Sequence, residues 1–152
     1  MHTKTMLLRQ LQTKMAAYQK ATPITRPASG WIRAIREALG MTLEQLARKL
    51  GVSKQNVQML EKRERDYSIT LQSLQQVAQA MDMQLVYALI PKEQTLEKYI
   101  AQRAETLARA IVLHTAHNMN LENQQVAEEQ LEYAIEERKK QLIQEMPKML
   151  WD

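Results

Sequence analysis

A chain of 152 residues fits one domain, or one domain with a helical extension. It contains no cysteine, which excludes a disulfide framework and a thiolate zinc site and fits a cytoplasmic protein; no apolar run reaches membrane-spanning length, and no signal-peptide core is legible. The formal net charge of +4 is uneven: residues 1–30 carry Lys4, Arg9, Lys14, Lys20 and Arg26 without an acid, residues 31–67 hold eight Lys/Arg against five Asp/Glu, and residues 68–152 hold eight against twelve. The basic front suits a polyanion, because neutralising phosphates releases condensed counterions, while the acidic rear does not. Solvated helix faces would produce the same charges, so charge alone does not decide.

Taken in chain order, residues 3–20 have helical periodicity, with Leu7, Leu11, Met15 and Tyr18 as the expected apolar stripe. Residues 21–30 contain Pro23, Pro27 and Gly30 and read as a linker or extended arm. Four short helices should follow: Trp31–Leu39, ended by Gly40; Leu43–Leu50, capped by Thr42 and stopped by Gly51; Lys54 to about Arg63, capped by Ser53; and Leu71–Met81, capped by Thr70. Met83–Ile90 is short, contains Val, Tyr and Ile, and is closed by Pro91, which predicts a strand. Two long helices are expected over Lys92–Asn118 and Glu122–Glu145, with Leu96, Ile100, Leu107 and Ile111 on the first and Val126, Leu131, Ile135 and Leu142 on the second. The implied organisation is a basic helix and linker at 1–30, a compact helical domain at 31–82, a strand at 83–91 and a helical extension at 92–152. A lone strand is unstable by itself, so its simplest partner is the same strand of a second copy, giving a homodimer.

The informative stretch runs from Met41 to Lys62: two short helices joined by Gly51, Val52 and Ser53. Leu43, Leu46, Ala47, Leu50, Val57 and Leu60 can share a core, with Val52 expected to plug the turn. Lys54, Gln55, Asn56 and Gln58 then point outward at the start of the third of the four helices. Gln and Asn can bond adenine bidentately, and Lys suits guanine or phosphate. The expected duplex-DNA contacts are Gln45 and Ser53 to phosphate, Lys54, Gln55, Asn56 and Gln58 to base edges, and Lys62, Arg63 and Arg65 to the backbone. Residues 1–26 would lie along DNA, with Arg26 reaching a groove. A generic small helical bundle is the plainer alternative.

The run T42-L-E-Q-L-A, the G51-V-S turn, the Val57–Leu60–Glu61 pattern and L74-Q-Q-V-A-Q-A-M resemble the Cro/repressor helix-turn-helix family over about fifty residues. That resemblance implies a mainly α fold and sequence-specific repression at a palindromic operator, autoregulatory in character. It departs from the family where Arg63 stands in place of a frequent glycine and where the next loop, with Asp66 and Tyr67, is longer. The domain followed directly by M83-Q-L-V-Y-A-L-I-P also resembles the mobile mystery protein A family, whose genes neighbour those of a Fic-domain protein. The resemblance implies an antitoxin-like partner of a Fic protein. Within it, N118-M-N-L-E-N123 is similar to a Fic inhibitory segment, with Asn118, Glu122 and Asn123 at the matching places and Glu122 meeting the phosphate-binding arginine of a Fic pocket. Under the alternative, the chain is chiefly a protein-neutralising antitoxin and DNA binding is secondary.

His114 and His117 lie three apart and could meet a metal with Glu122, but no further ligand is nearby, so no metal site is expected. No nucleophile–base set or glycine-rich phosphate loop is legible, so neither an enzyme nor a cofactor is expected. The ten methionines fall at core-like spacings and read as packing.

Overall fold

The computed structural model describes residues 2–92, 95–119 and 124–152. Its elements are α1 (His2–Gln19), α2 (Trp31–Ala38), α3 (Leu43–Leu50), α4 (Lys54–Arg65), α5 (Leu71–Ala80), α6 (Leu96–Met119) and α7 (Gln124–Glu145), followed by a 3-10 turn over Lys148–Trp151. The chain divides into two units: Lys20–Ala88, and α1 together with the chain from Leu89 onward. Among the described residues no helix is long and apolar enough to cross a membrane.

In the unit Lys20–Ala88, side-chain oxygens set three helix starts. Thr42 and Gln45 form a capping box on α3, Ser53 Oγ accepts from Asn56 N–H, and Thr70 Oγ1 accepts from Ser73 N–H, each near 3.1 Å. Gly51 stops α3 at φ 70°, a left-handed conformation costly for other residues, and Val52 N–H returns to Ala47 O at 3.0 Å. Ile32, Leu46, Ala47, Val57, Val77 and Met81 form the core, with Ile35, Leu43, Leu50, Leu60 and Leu74 packed around it. Val52 is not the plug expected: it is exposed, and its backbone rather than its side chain closes the turn.

The mainly helical class holds; the strand expected over Met83–Ile90 is not found within the single chain. Met83–Ile90 is neither helix nor strand, and no strand occurs among the described residues. A ladder needs a second extended segment, and within the described chain none is offered. Val86, Tyr87 and Leu89 are consequently exposed.

The other unit is built on α6 and α7. The ion pairs Glu105–Lys139 and Arg109–Glu132 run in opposite sequence directions, so the helices are antiparallel. Ile100, Ala104, Ala108, Ile135 and Leu142 make the seam, closed by Leu150 from the 3-10 turn, with Leu107 partly buried beside it. Two alanines at the centre let the backbones approach, which a search for large apolar residues misses. Arg103 holds the turn by donating to Leu150 O and Asp152 O, and Tyr99 stacks on Trp151 at 5.5 Å. On α1 the inward line is Leu8, Gln12, Met15 and Gln19, whereas Leu7, Leu11 and Tyr18 of the expected stripe are exposed. The helix is rotated from that expectation because Gln12 Oε1 accepts from Leu96 N–H at 2.8 Å, capping α6, and Leu8 packs on the seam.

Candidate nucleic-acid interface

Helix α4 is anchored by one face and open on the other. Val57 is fully buried. One and two turns further, Glu61 and Glu64 also point inward, at 8% and 5% exposure. Buried carboxylates are costly unless paired, and both are. Arg36 of α2 forks onto Glu61, Nε to Oε1 at 2.5 Å and Nη2 to Oε2 at 3.3 Å, while its Nη1 donates to Met41 O at 3.1 Å. Glu64 accepts from the Trp31 N–H at 3.0 Å and the Ile32 N–H at 2.8 Å. It thereby caps α2, whose own N-cap, Gly30, has no side chain to do so. Gly30 is required there twice over: its φ is 89°, and a Cβ would lie 2.7 Å from Glu64 Oε1.

The C-terminal end of α4 is fixed from the linker. Arg26 donates through Nη1 to Glu64 O at 3.3 Å and through Nη2 to Arg65 O at 2.8 Å, and its guanidinium lies 3.8 Å from the centre of the Tyr67 ring. Arg26 therefore caps α4 rather than reaching out for a groove. Lacking a glycine near Arg63, α4 continues to Arg65, and Tyr67 takes the left-handed conformation at φ 60°. That costs roughly 1–2 kcal/mol for an L-residue, which the stacked Arg26 offsets.

Ser53, Lys54, Gln55, Asn56, Gln58, Lys62, Arg63 and Arg65 are all exposed, as is Gln45 on α3. Gln55, Met59 and Lys62 follow one another along the outward line of α4, opposite Val57, with Asn56 and Arg63 beside them on one flank and Lys54, Gln58 and Arg65 on the other. Met59, 45% exposed, sits in the middle of this polar face. Its position is not that of a packing residue, and the apolar face it offers fits a thymine methyl.

The expected residues do not form one cluster. A cleft of about 290 Å³ gathers Gln58, Lys62 and Arg65 with Ser29 and Arg33. A separate open cleft of about 550 Å³ sets Gln45 beside Arg48 and Lys49. Gln45 spends its carbonyl oxygen on the Thr42 N–H at 2.8 Å, leaving its amide N–H groups to donate. Lys54 is not free: its ammonium lies 3.0 Å from Glu44 Oε1 on α3. The Glu44 carboxyl is held below its ordinary value by its own backbone N–H and then by Lys54. Arg65 contacts Asp66 at 3.4 Å.

A short helix ended by a left-handed glycine, a three-residue turn and a capped helix with a polar outward face define a known unit. Residues 32–87 match a family described as helix-turn-helix. The chain carries a Cro/C1-type helix-turn-helix domain. Such a domain makes it a DNA-binding transcriptional regulator. No curated protein and no solved structure matches the chain. In helix-turn-helix domains generally the first helix of the motif supports and the second presents its N-terminal end to a groove; α3 and α4 occupy those two places here.

Outside that domain, Asn118 is exposed near the end of α6, where its side chain meets His114 at 3.4 Å. Glu122 and Asn123 lie outside the described residues. No group of three or more His, Asp or Glu placed to hold a metal occurs among the described residues.

Proposed function

We propose that the protein is a sequence-specific repressor that binds a palindromic operator upstream of its own gene as a homodimer. The carrying observation is the outward face of α4: Gln55, Asn56 and Gln58 are exposed at the groove-entering end of a helix whose opposite side is fixed by Val57, Glu61 and Glu64. Three amide side chains on a rigid support suit adenine-containing steps. Dimerisation is supported by the segment after α5, which exposes Val86, Tyr87 and Leu89; past Met83, whose N–H donates to Ala78 O, residues 84–90 belong to no helix or ladder and can pair with the same segment of a second copy. Two domains so joined would address half-sites about one DNA turn apart.

Nuclease protection of the DNA upstream of the gene tests this reading. The expected footprint is two-fold symmetric, and Val86→Pro, which blocks ladder pairing, gives a monomer that binds the site weakly. Absence of any protected site, or a monomeric wild type at micromolar concentration in sedimentation, would contradict it.

A second reading concerns the unit formed by α1, α6 and α7. Its acid-bearing helices are not needed to complete the helix-turn-helix core, and the resemblance of N118-M-N-L-E-N123 to a Fic inhibitory segment favours a Fic-domain partner. In this reading Glu122 pairs with the arginine that a Fic pocket uses for the terminal phosphate of ATP. Glu122→Ala then leaves operator binding intact and releases the partner's AMP transfer. A neighbouring Fic protein that neither co-purifies with the chain nor changes its activity on Glu122→Ala excludes this reading.

A further inference from the structure

Lys54 opens α4 at the end that faces DNA, yet its ammonium is already engaged by Glu44 from α3, at 3.0 Å. Both side chains are about half exposed, 45% for Lys54 and 56% for Glu44, so in water the pair adds little to stability. Its placement is therefore better explained by what it does at the interface. Glu44 puts a full negative charge on the surface that meets the phosphates, which opposes non-specific binding. The same carboxylate occupies one of the three donor positions of the lysine and restrains a four-carbon stem that would otherwise fall on the nearest phosphate. Lys54 keeps two N–H donors, enough for the O6 and N7 acceptors of one guanine.

We propose that Glu44 is a specificity-determining positioning residue: by holding the Lys54 ammonium it reserves that lysine for a base edge and penalises docking in which the lysine leaves for phosphate. The inference rests on α4 being the DNA-reading helix. Glu44 touches no base in this account and acts through Lys54.

The test uses the full-length chain and two duplexes: one enriched by the wild-type protein from a random pool, and a scrambled duplex of the same composition. For Glu44→Gln, affinity for the scrambled duplex rises, and the slope of log affinity against log salt on that duplex steepens by about 0.9, the value of one added phosphate contact. The ratio of affinities for the two duplexes falls at least about fivefold, the low end of what one base-reading pair discriminates. A gain of affinity cannot arise from misfolding. In the Lys54→Met background the same Glu44→Gln change leaves the ratio unchanged, because loss of the Glu44 charge alone acts equally on both duplexes, and the added-contact step in the slope is absent because no lysine is left to make it. An unchanged ratio in the Lys54 protein overturns the proposal, and so does a change of ratio that persists undiminished in Lys54→Met, which would mean that Glu44 acts without Lys54. If the wild type enriches no duplex at all, it is the reading of α4 that fails, and the two failures are thus distinguishable.

Discussion

The two faces of α4 use polar side chains in opposite ways: acids are turned inward and paired, amides and cations outward and left open. Its inner face carries two carboxylates, Glu61 and Glu64, that are buried and fully engaged with α2. Its outer face carries amides and cations, Gln55, Asn56, Gln58, Lys62 and Arg63, that are exposed. Acid on the inside is an unusual way to anchor a helix, because each carboxylate must recover its lost hydration from a specific partner. Here the partners are the guanidinium of Arg36 and two backbone N–H groups at the start of α2. One helix thereby holds its neighbour by negative charge and presents positive and amide groups outward. Substitutions on the inner face should act on stability, and those on the outer face on DNA binding.

The largest expected effect on this division is Arg36→Ala. It leaves Glu61 buried without its partner and should destabilise the Lys20–Ala88 unit by about 3–5 kcal/mol, read by chemical denaturation. The paired change Arg36→Met with Glu61→Leu should recover most of that loss, since a buried ion pair is commonly replaceable by apolar groups of similar volume. Failure of the double variant to recover would mean that the Arg36 bond to Met41 O, and not the ion pair, is the main tie. Next comes Glu64→Ala, which strips the cap from α2 and leaves two N–H donors unpaired, at a cost of about 2–3 kcal/mol. Gly30→Ala at the other end of the same contact should also destabilise, from both the positive φ and the 2.7 Å approach. Arg26→Ala removes the C-terminal cap of α4 and the stack on Tyr67; about 1 kcal/mol is expected, with DNA affinity lowered because the end of α4 loosens. A loss of stability as large as that of Arg36→Ala would instead make the linker part of the core.

Much of the fold can be read from local signals, because hydroxyl caps and glycine stops act over three or four residues: Thr42, Ser53 and Thr70 start their helices where expected, and Gly51 ends α3. The inner face of α4 is not legible in that way. Glu61 and Glu64 find their partners 25 to 33 residues earlier in the chain, and nothing local distinguishes them from solvated acids. The local signs are the i, i+4, i+7 line through Val57, Glu61 and Glu64, and a glycine rather than a hydroxyl residue directly before Trp31. Arg26 is illegible for the same reason: nothing near it in sequence marks the carbonyls of Glu64 and Arg65 that it caps. Met83–Ile90 has the composition of a strand but, within one chain, no ladder to join. The exposed face of α4 was legible because it follows from the helix register alone, once Val57 is placed inside. Met59 is not marked by its residue type, since methionine commonly packs, and Glu44 is not marked because its significance depends on Lys54 across the turn.

The measurement that bears most directly on the outer face is the affinity of the Gln55→Ala and Asn56→Ala variants for a duplex selected by the wild-type protein, set against a scrambled duplex of equal composition. Each substitution should cost about 1–3 kcal/mol on the selected duplex and little on the scrambled one, with the folded-state stability changed by less than about 0.5 kcal/mol. Equal weakening on both duplexes, or no weakening on either, would contradict the assignment of α4 as the helix that reads the bases.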